Sequence, residues 1–159
     1  MKSVTRVIGI LLACYMAPVR ADDPQLQIMT EDFPPFNYLE GGKLVGVGPE
    51  IVHALMARMN IHGEIRVMGW KRAYNMTLNE PNMVLFSMAR IPEREGKFQW
   101  VGPLMSVTDY LYANANFPQD NITRDEAKRA SGILVQEGGA HHLIFQAEGY
   151  ENLKPYSNI

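Results

Sequence analysis

The chain of 159 residues contains a single cysteine, Cys14, so it can close no internal disulfide and build no paired-thiolate metal site. Basic residues are not in excess: 15 Lys and Arg stand against 17 Asp and Glu, a formal net charge of −2. That balance argues against nucleic acid or an anionic membrane surface as a partner. No apolar run reaches the roughly 20 residues that span a bilayer; the stretch from Val7 to Val19 is too short and has no stop-transfer partner. Also missing are GxSxG, HExxH and a glycine-rich phosphate loop. The adjacent His141 and His142 point to different faces of a helix and have no third ligand at metal spacing. No cofactor or metal is therefore expected, and the chain does not read as an enzyme. Internal repeats and low-complexity runs are absent too.

What is present begins with a leader. Lys2 and Arg6 precede the apolar stretch, and Val19-Arg20-Ala21 ends it in a small-x-small pattern. This is the layout of a secretory signal over residues 1–21, cleaved after Ala21. Lipidation at Cys14, within Leu11-Leu12-Ala13-Cys14, is the alternative, although apolar residues continue past that cysteine. Cleavage takes away Lys2, Arg6 and Arg20, leaving 12 basic residues against 17 acidic ones and a net charge of −5. An exported chain without disulfides must rest on a packed core, and the remaining length suffices for one domain.

Along the mature chain, Leu26 to Met29 predicts a strand, and Thr30 to Tyr38, with Pro34 and Pro35 among three aromatics, the loop that leaves it. Gly41-Gly42 makes a turn into a short extended piece ending at Gly46. Pro49 suits a first helical turn, and Ile51, Val52, Leu55, Met56 and Met59 form an apolar stripe on a helix over residues 49–60. Glu64 to Met68 alternates as a strand. Trp70 to Leu78 reads as a helix and Met83 to Met88 as a continuous buried strand. Strand–helix alternation with short connections predicts an α/β layer with a parallel sheet, whose ligands gather at the carboxyl ends of the strands. The aromatic loop, Trp70-Lys71-Arg72, and the pair Arg90 and Arg94 all fall at such ends. Past Pro103, Val107 to Ala115 predicts a crossing strand and Phe117 to Asn121 a turn. Thr123 caps a helix over Arg124 to Arg129, Gly132 to Val135 is a strand, and Ala140 to about Ala147 is a helix.

Several pieces together resemble a known family. They are the exported N-terminus, Phe33-Pro34-Pro35-Phe36, Gly42 to Gly46 before a helix, and Pro92-Glu93-Arg94 after a buried strand. Phe98-Gln99-Trp100-Val101-Gly102-Pro103 and Val135-Gln136-Glu137-Gly138-Gly139 complete the set. In order and spacing they are similar to the family 3 periplasmic solute-binding proteins, the polar amino-acid type serving ABC importers. The resemblance implies a periplasmic-binding-protein-like (type II) two-lobe α/β fold, with residues 22–108 as the first lobe. Residues 109–159 would then be a hinge strand and an incomplete second lobe. It implies a monomer in the periplasm that binds a small polar solute, an amino acid or related carboxylate, and hands it to a membrane permease. Arg94 would grip the solute's carboxylate, Phe33 and Trp70 would flank it, and Ser87 would add a hydroxyl or backbone contact. Gly138 to Ala140, at a helix start, would bring backbone N–H groups to the same anion. Arg90, Glu31 and Arg72 complete the candidate set, Glu31 as partner of a solute cation.

The chain departs from the family at Ala89 and Ile91, where amino-acid binders commonly carry Ser or Thr. The family's acidic residue for the amino group lies beyond Ile159, so the chain reads as a truncated member. Plainer readings stand beside each site assignment. Arg94 and Arg90 could form surface ion pairs with Glu93 or Glu95, the two aromatics could be core, and Arg72 could decorate its helix. Two other functions remain open on the same fold: a ligand-sensing module of a signalling protein, and a dehydratase or lyase with Glu31 as its acid or base.

Overall fold

The structure is a computed structural model that describes residues 26–117 and 121–157. The leader predicted over residues 1–21, Cys14 within it, and residues 118–120 of the predicted turn lie outside the described residues. The first layer is a three-stranded parallel sheet in the order β4-β1-β5, formed by β1 (Gln27–Thr30), β4 (Ile65–Val67) and β5 (Met83–Leu85). Ile28 pairs with Ile65 on one side and Val84 on the other. As the middle strand β1 is sealed, with Met29 and Thr30 showing no exposed surface. Helices α1 (Val47–Arg58) and α2 (Trp70–Asn79) are the crossovers. Ile28, Val52, Met56 and Phe86 make the core beneath them, with Leu26, Leu44, Ile61, Ile65 and Leu104 packed around it.

Between β1 and α1 the chain makes an antiparallel hairpin, β2 (Tyr38–Glu40) with β3 (Lys43–Val45). The hairpin enters α1 through Gly46, whose φ of 115° suits glycine; a Cβ there would stand 2.3 Å from the Phe36 carbonyl oxygen. Helix α1 therefore starts two residues before Pro49. Its stripe is only half used: Val52 and Met56 are buried, whereas Leu55 and Met59 are exposed.

Two extended elements differ from the sequence expectation. The continuous buried strand over Met83 to Met88 is a three-residue edge strand with Val84 exposed, because only β1 pairs with it. The chain then turns at Ser87, whose φ is +60°. The crossing strand expected over Val107 to Ala115 is absent, and Tyr110 and Tyr112 are 71% and 91% exposed. A strand needs a neighbour for its backbone groups, and no described segment pairs with this one.

The second layer is smaller. Helix α3 (Arg124–Arg129) carries the predicted Thr123 cap, completed as a capping box by Glu126. Strand β6 (Ile133–Gln136) precedes α4 (Ala140–Ala147). It pairs in parallel with β7 (Leu153–Tyr156) from Ile133–Leu153 to Gln136–Tyr156. Ala127, Ile133, Val135 and Tyr150 form its own core, with Ile122, Phe145 and Leu153 alongside.

Candidate functional site

The carboxyl ends of the strands face one another across the two layers. On the first layer, β1 delivers Glu31, the turn after β4 opens α2 at Trp70, and the 3-10 helix Pro92–Lys97 after β5 carries Arg94. On the second, β6 delivers Gln136, Glu137 and Gly138.

Arg94 is the most deeply buried charged side chain described, at 1% exposure. Its Nη1 donates to the Ala89 carbonyl and its Nη2 to the Gly138 carbonyl, each at 3.0 Å. Its guanidinium lies over the Trp70 ring at 4.6 Å and the Tyr74 ring at 5.5 Å. Buried Nε has no hydrogen-bond partner. Among the described residues no carboxylate lies within 4.0 Å of Arg94; the ion pairs involve Lys71, Arg90, Arg124 and His141 instead. Burial pulls its pKa below the ordinary arginine range, with Tyr74, Glu31 and Glu93 opposing the shift. A guanidinium remains charged even so. The arrangement is a desolvated cation that meets carbonyls and ring faces rather than a carboxylate among the described residues.

Trp70 is buried and donates from Nε1 to the same Gly138 carbonyl, at 3.0 Å. Tyr74 tilts against Trp70, Phe98 stands edge-on to Tyr74, and Trp100 edge-on to Phe98. Glu31 is half-buried and accepts from the Gln136 side-chain amide at 2.8 Å. Burial raises its pKa above the ordinary carboxylate value, while the Gln136 bond and the charge of Arg94 pull the other way and Asp32 adds to the rise. Lys71 bridges to Glu137 at 3.2 Å at the rim. Arg94, Trp70, Glu31 and Lys71 of the first layer thus all meet the Gln136–Gly138 turn of the second.

The remaining sequence candidates lie elsewhere or play different parts. The Ser87 hydroxyl is buried and unpartnered, at the N-terminal end of α1; a Cβ on Gly48 would stand 2.9 Å from it. Phe33 is 40% exposed and stacks on Phe36. Arg90 is exposed, makes a two-pronged pair with Glu95 and covers Trp100 at 5.6 Å. For Arg90 the ion-pair alternative is therefore the geometry observed. Arg72 lies on the exposed face of α2. The expected backbone N–H groups are turned inward: Gly138 N–H donates to His142 Nδ1 at 3.0 Å and Gly139 N–H to the Gln136 carbonyl at 2.9 Å. The turn offers Arg94 a carbonyl oxygen instead. The sequence reading gave no part to Tyr74 and Gln136, and it placed Lys71 at a strand end without assigning it a role. Only Tyr74, one turn after Trp70 on the same helix face, left a signal that spacing could have caught.

Residues 26–144 match the sequence profile of the bacterial extracellular solute-binding proteins, family 3. The fold is similar to a binding component of an ABC transporter from Wolinella succinogenes DSM 1740 complexed with lysine. There the TM-score is 0.65 and the identity 15%, over 83% of this chain and 59% of that one. It is similar as well to an ancestral arginine-binding protein bound to glutamine, with TM-score 0.60 and 21% identity over 84% of this chain and 60% of that one. The chain thus spans about three-fifths of the length of these structures. No curated protein matches it.

Proposed function

From the premise that the chain belongs to the bacterial extracellular solute-binding proteins, family 3, we propose that it is the solute-capturing component of an ABC importer. Its α/β fold is that of the two-lobe periplasmic binding proteins, with one layer around β1 and part of a second around β6. The proposed ligand is a small solute with a carboxylate, an amino acid or a close relative, held where the two layers meet. The membrane permease of the importer would be its partner, and the periplasm its location.

One observation carries this reading: Arg94, buried between the layers, with no acidic partner among the described residues and an unpartnered Nε. Burying a cation without a counter-charge costs several kcal/mol, which two bonds to carbonyls and two ring faces offset only in part. A carboxylate bound two-pronged would offset the rest, in a way no carbonyl can. Trp70 and Tyr74 are flat walls beside it, and half-buried Glu31 suits a cationic group on the same solute. Enzymatic chemistry draws no support from this geometry, since Glu31 is already tied to Gln136.

Melting the purified protein against cationic, neutral and acidic amino acids and simple carboxylates tests the proposal. At a hundred times Kd a one-site solute stabilises by about 2.7 kcal/mol. Amino acids should raise the Tm, and the rise should vanish in Arg94→Met. A rise of equal size in that variant would overturn the assignment.

A further inference from the structure

We infer that His142, in its neutral form, is the positioning residue that sets the interlobe turn, through its hydrogen bond from the Gly138 N–H. Protonation of His142 would then release that turn from Trp70 and Arg94. The inference deepens the proposed solute site and rests on that reading for its significance.

Gly138 is a crossing point. Its carbonyl accepts from Trp70 Nε1 and Arg94 Nη2 of the first layer, and its N–H donates to His142 Nδ1 within the second. Gly138 sits at φ +69°, a region glycine enters freely and leaves freely. Its two flanking peptides therefore need external anchors. The peptide that carries its carbonyl is held by the Gly139 N–H bond to the Gln136 carbonyl. The preceding peptide is held by His142 alone among the side chains bonded to it. An imidazole accepts at Nδ1 only when that nitrogen lacks a proton; once protonated, two N–H donors face each other and the bond is lost. The φ of Gly138 then has no side-chain anchor, and the carbonyl loses its aim.

The surrounding charges are these. Glu137, on the same turn, is the acid coupled to His142. Glu137 in turn is held by Lys71 of α2 at 3.2 Å and by Ser157 at 2.5 Å. Arg94 reaches in from the 3-10 helix, and Glu31 holds Gln136 from the loop after β1. The neighbouring His141 faces away to Asp109 of the 101–117 segment, at 3.2 Å. Histidine is the side chain whose charge changes between about pH 5 and 8, a range that an exported protein meets.

The test needs no solute. With Trp100→Phe as background, Trp70 is the only tryptophan, and its emission reports whether the indole is covered by Gly138 or wetted. The background protein should shift to the red through a single transition as the pH falls. His142→Asn places an amide oxygen where Nδ1 was. It should keep the blue emission and lose the transition. His142→Leu should be red at every pH, and His141→Asn should behave like the background. The inference is overturned by a transition that survives in His142→Asn or by its absence in the background protein. Blue emission in His142→Leu, or loss of the transition in His141→Asn, overturns it equally. Solute binding is read separately through Arg94→Met, so failure of the solute site and failure of this inference give different results.

Discussion

Replacing Arg94 by Met separates a residue kept for a ligand from one kept for the fold. The wild-type side chain makes two hydrogen bonds from a charged group, each worth about 1.5–3 kcal/mol, to the carbonyls of Ala89 and Gly138. Against them stands the cost of holding a guanidinium at 1% exposure without a carboxylate, several kcal/mol for a buried ion. Met nearly matches the volume, keeps contact with the Trp70 and Tyr74 rings through a sulfur that favours aromatic neighbours by about 0.3–1.5 kcal/mol, and removes the buried charge. Neither carbonyl is stranded, since Ala89 is exposed and Gly138 keeps its bond from Trp70. Exchanges of buried ions for apolar residues of similar size are often neutral, or stabilise by about 1–4 kcal/mol.

Arg94→Met should therefore melt within a few degrees of the parent or above it, and should no longer be stabilised by amino acids. Differential scanning fluorimetry with and without solute reads both at once. A structural arginine would behave otherwise: breaking a buried interaction network costs about 3–5 kcal/mol, roughly 12–20 °C for a domain of this size. A fall of that size without solute would refute the argument that its buried charge awaits a partner.

Three further outcomes are expected. Burial holds the Glu31 carboxyl above its ordinary value of 4.5, so between the two values the folded chain retains a proton that the unfolded chain has lost. The stability tied to this group thus falls as pH rises through that window. Glu31→Gln should accordingly melt above the parent at pH 7 and converge with it near pH 4; a gap that opens toward acid would contradict the sign. Gly48→Ala drives a methyl to 2.9 Å from the Ser87 hydroxyl and should destabilise by about 1–3 kcal/mol. Ser87→Gly, which removes the hydroxyl at a position with φ +60°, should restore most of that loss in the double variant, as measured by urea unfolding. Arg90→Ala should leave amino-acid affinity unchanged in calorimetry, because Arg90 pairs with Glu95 on the surface; a tenfold loss would bring Arg90 back to the site.

How much of this was legible depended on whether the signal was local. The amphipathic spacing of α1, the Thr123 cap of α3 and the span of α4 all sit within a few residues of sequence, and each element lies where its pattern predicts. The strands β1, β4 and β6 also lie within one residue of their predicted spans, but strand composition alone does not decide pairing. Residues 83–88 and 107–115 have strand composition, yet backbone pairing is decided by distant segments, so one shortened and the other did not form. Strand β7 has no counterpart in the sequence expectations; its Pro155 stands opposite Val135 in the ladder, where proline is tolerated because β7 has β6 as its only described neighbour. At the candidate site, Arg94 and Trp70 were found as residues at strand ends. That they meet the same carbonyl of Gly138 could not be read, because it depends on how two layers some 44 and 68 residues apart in sequence come together.

On the proposed function, the contact between Arg94 and Gly138 has a consequence for how a solute would enter. Arg94 Nη2 is occupied by a neutral carbonyl of the opposite layer, so a carboxylate cannot take that donor until Gly138 moves away. The exchange favours the solute: a two-pronged guanidinium–carboxylate pair adds a second parallel bond and an opposite charge to the single charge-assisted bond it replaces, and the unpartnered Nε gains a partner. The interlobe contacts therefore compete with the ligand rather than wait for it, and apparent affinity is the intrinsic affinity reduced by the fraction of molecules already open. Glycine at 138 keeps that competition mild, since the turn can swing at φ +69° without strain. Gly138→Ala should expose the logic. A methyl there meets only Trp70 Nε1 at 3.9 Å, so its cost comes from the backbone, about 1–2 kcal/mol for a left-handed residue. That cost weakens the closed form without touching Arg94. The variant should melt lower without solute and bind amino acids with a faster on-rate in stopped-flow mixing. An unchanged on-rate in a destabilised variant would show that the Gly138 carbonyl does not gate Arg94.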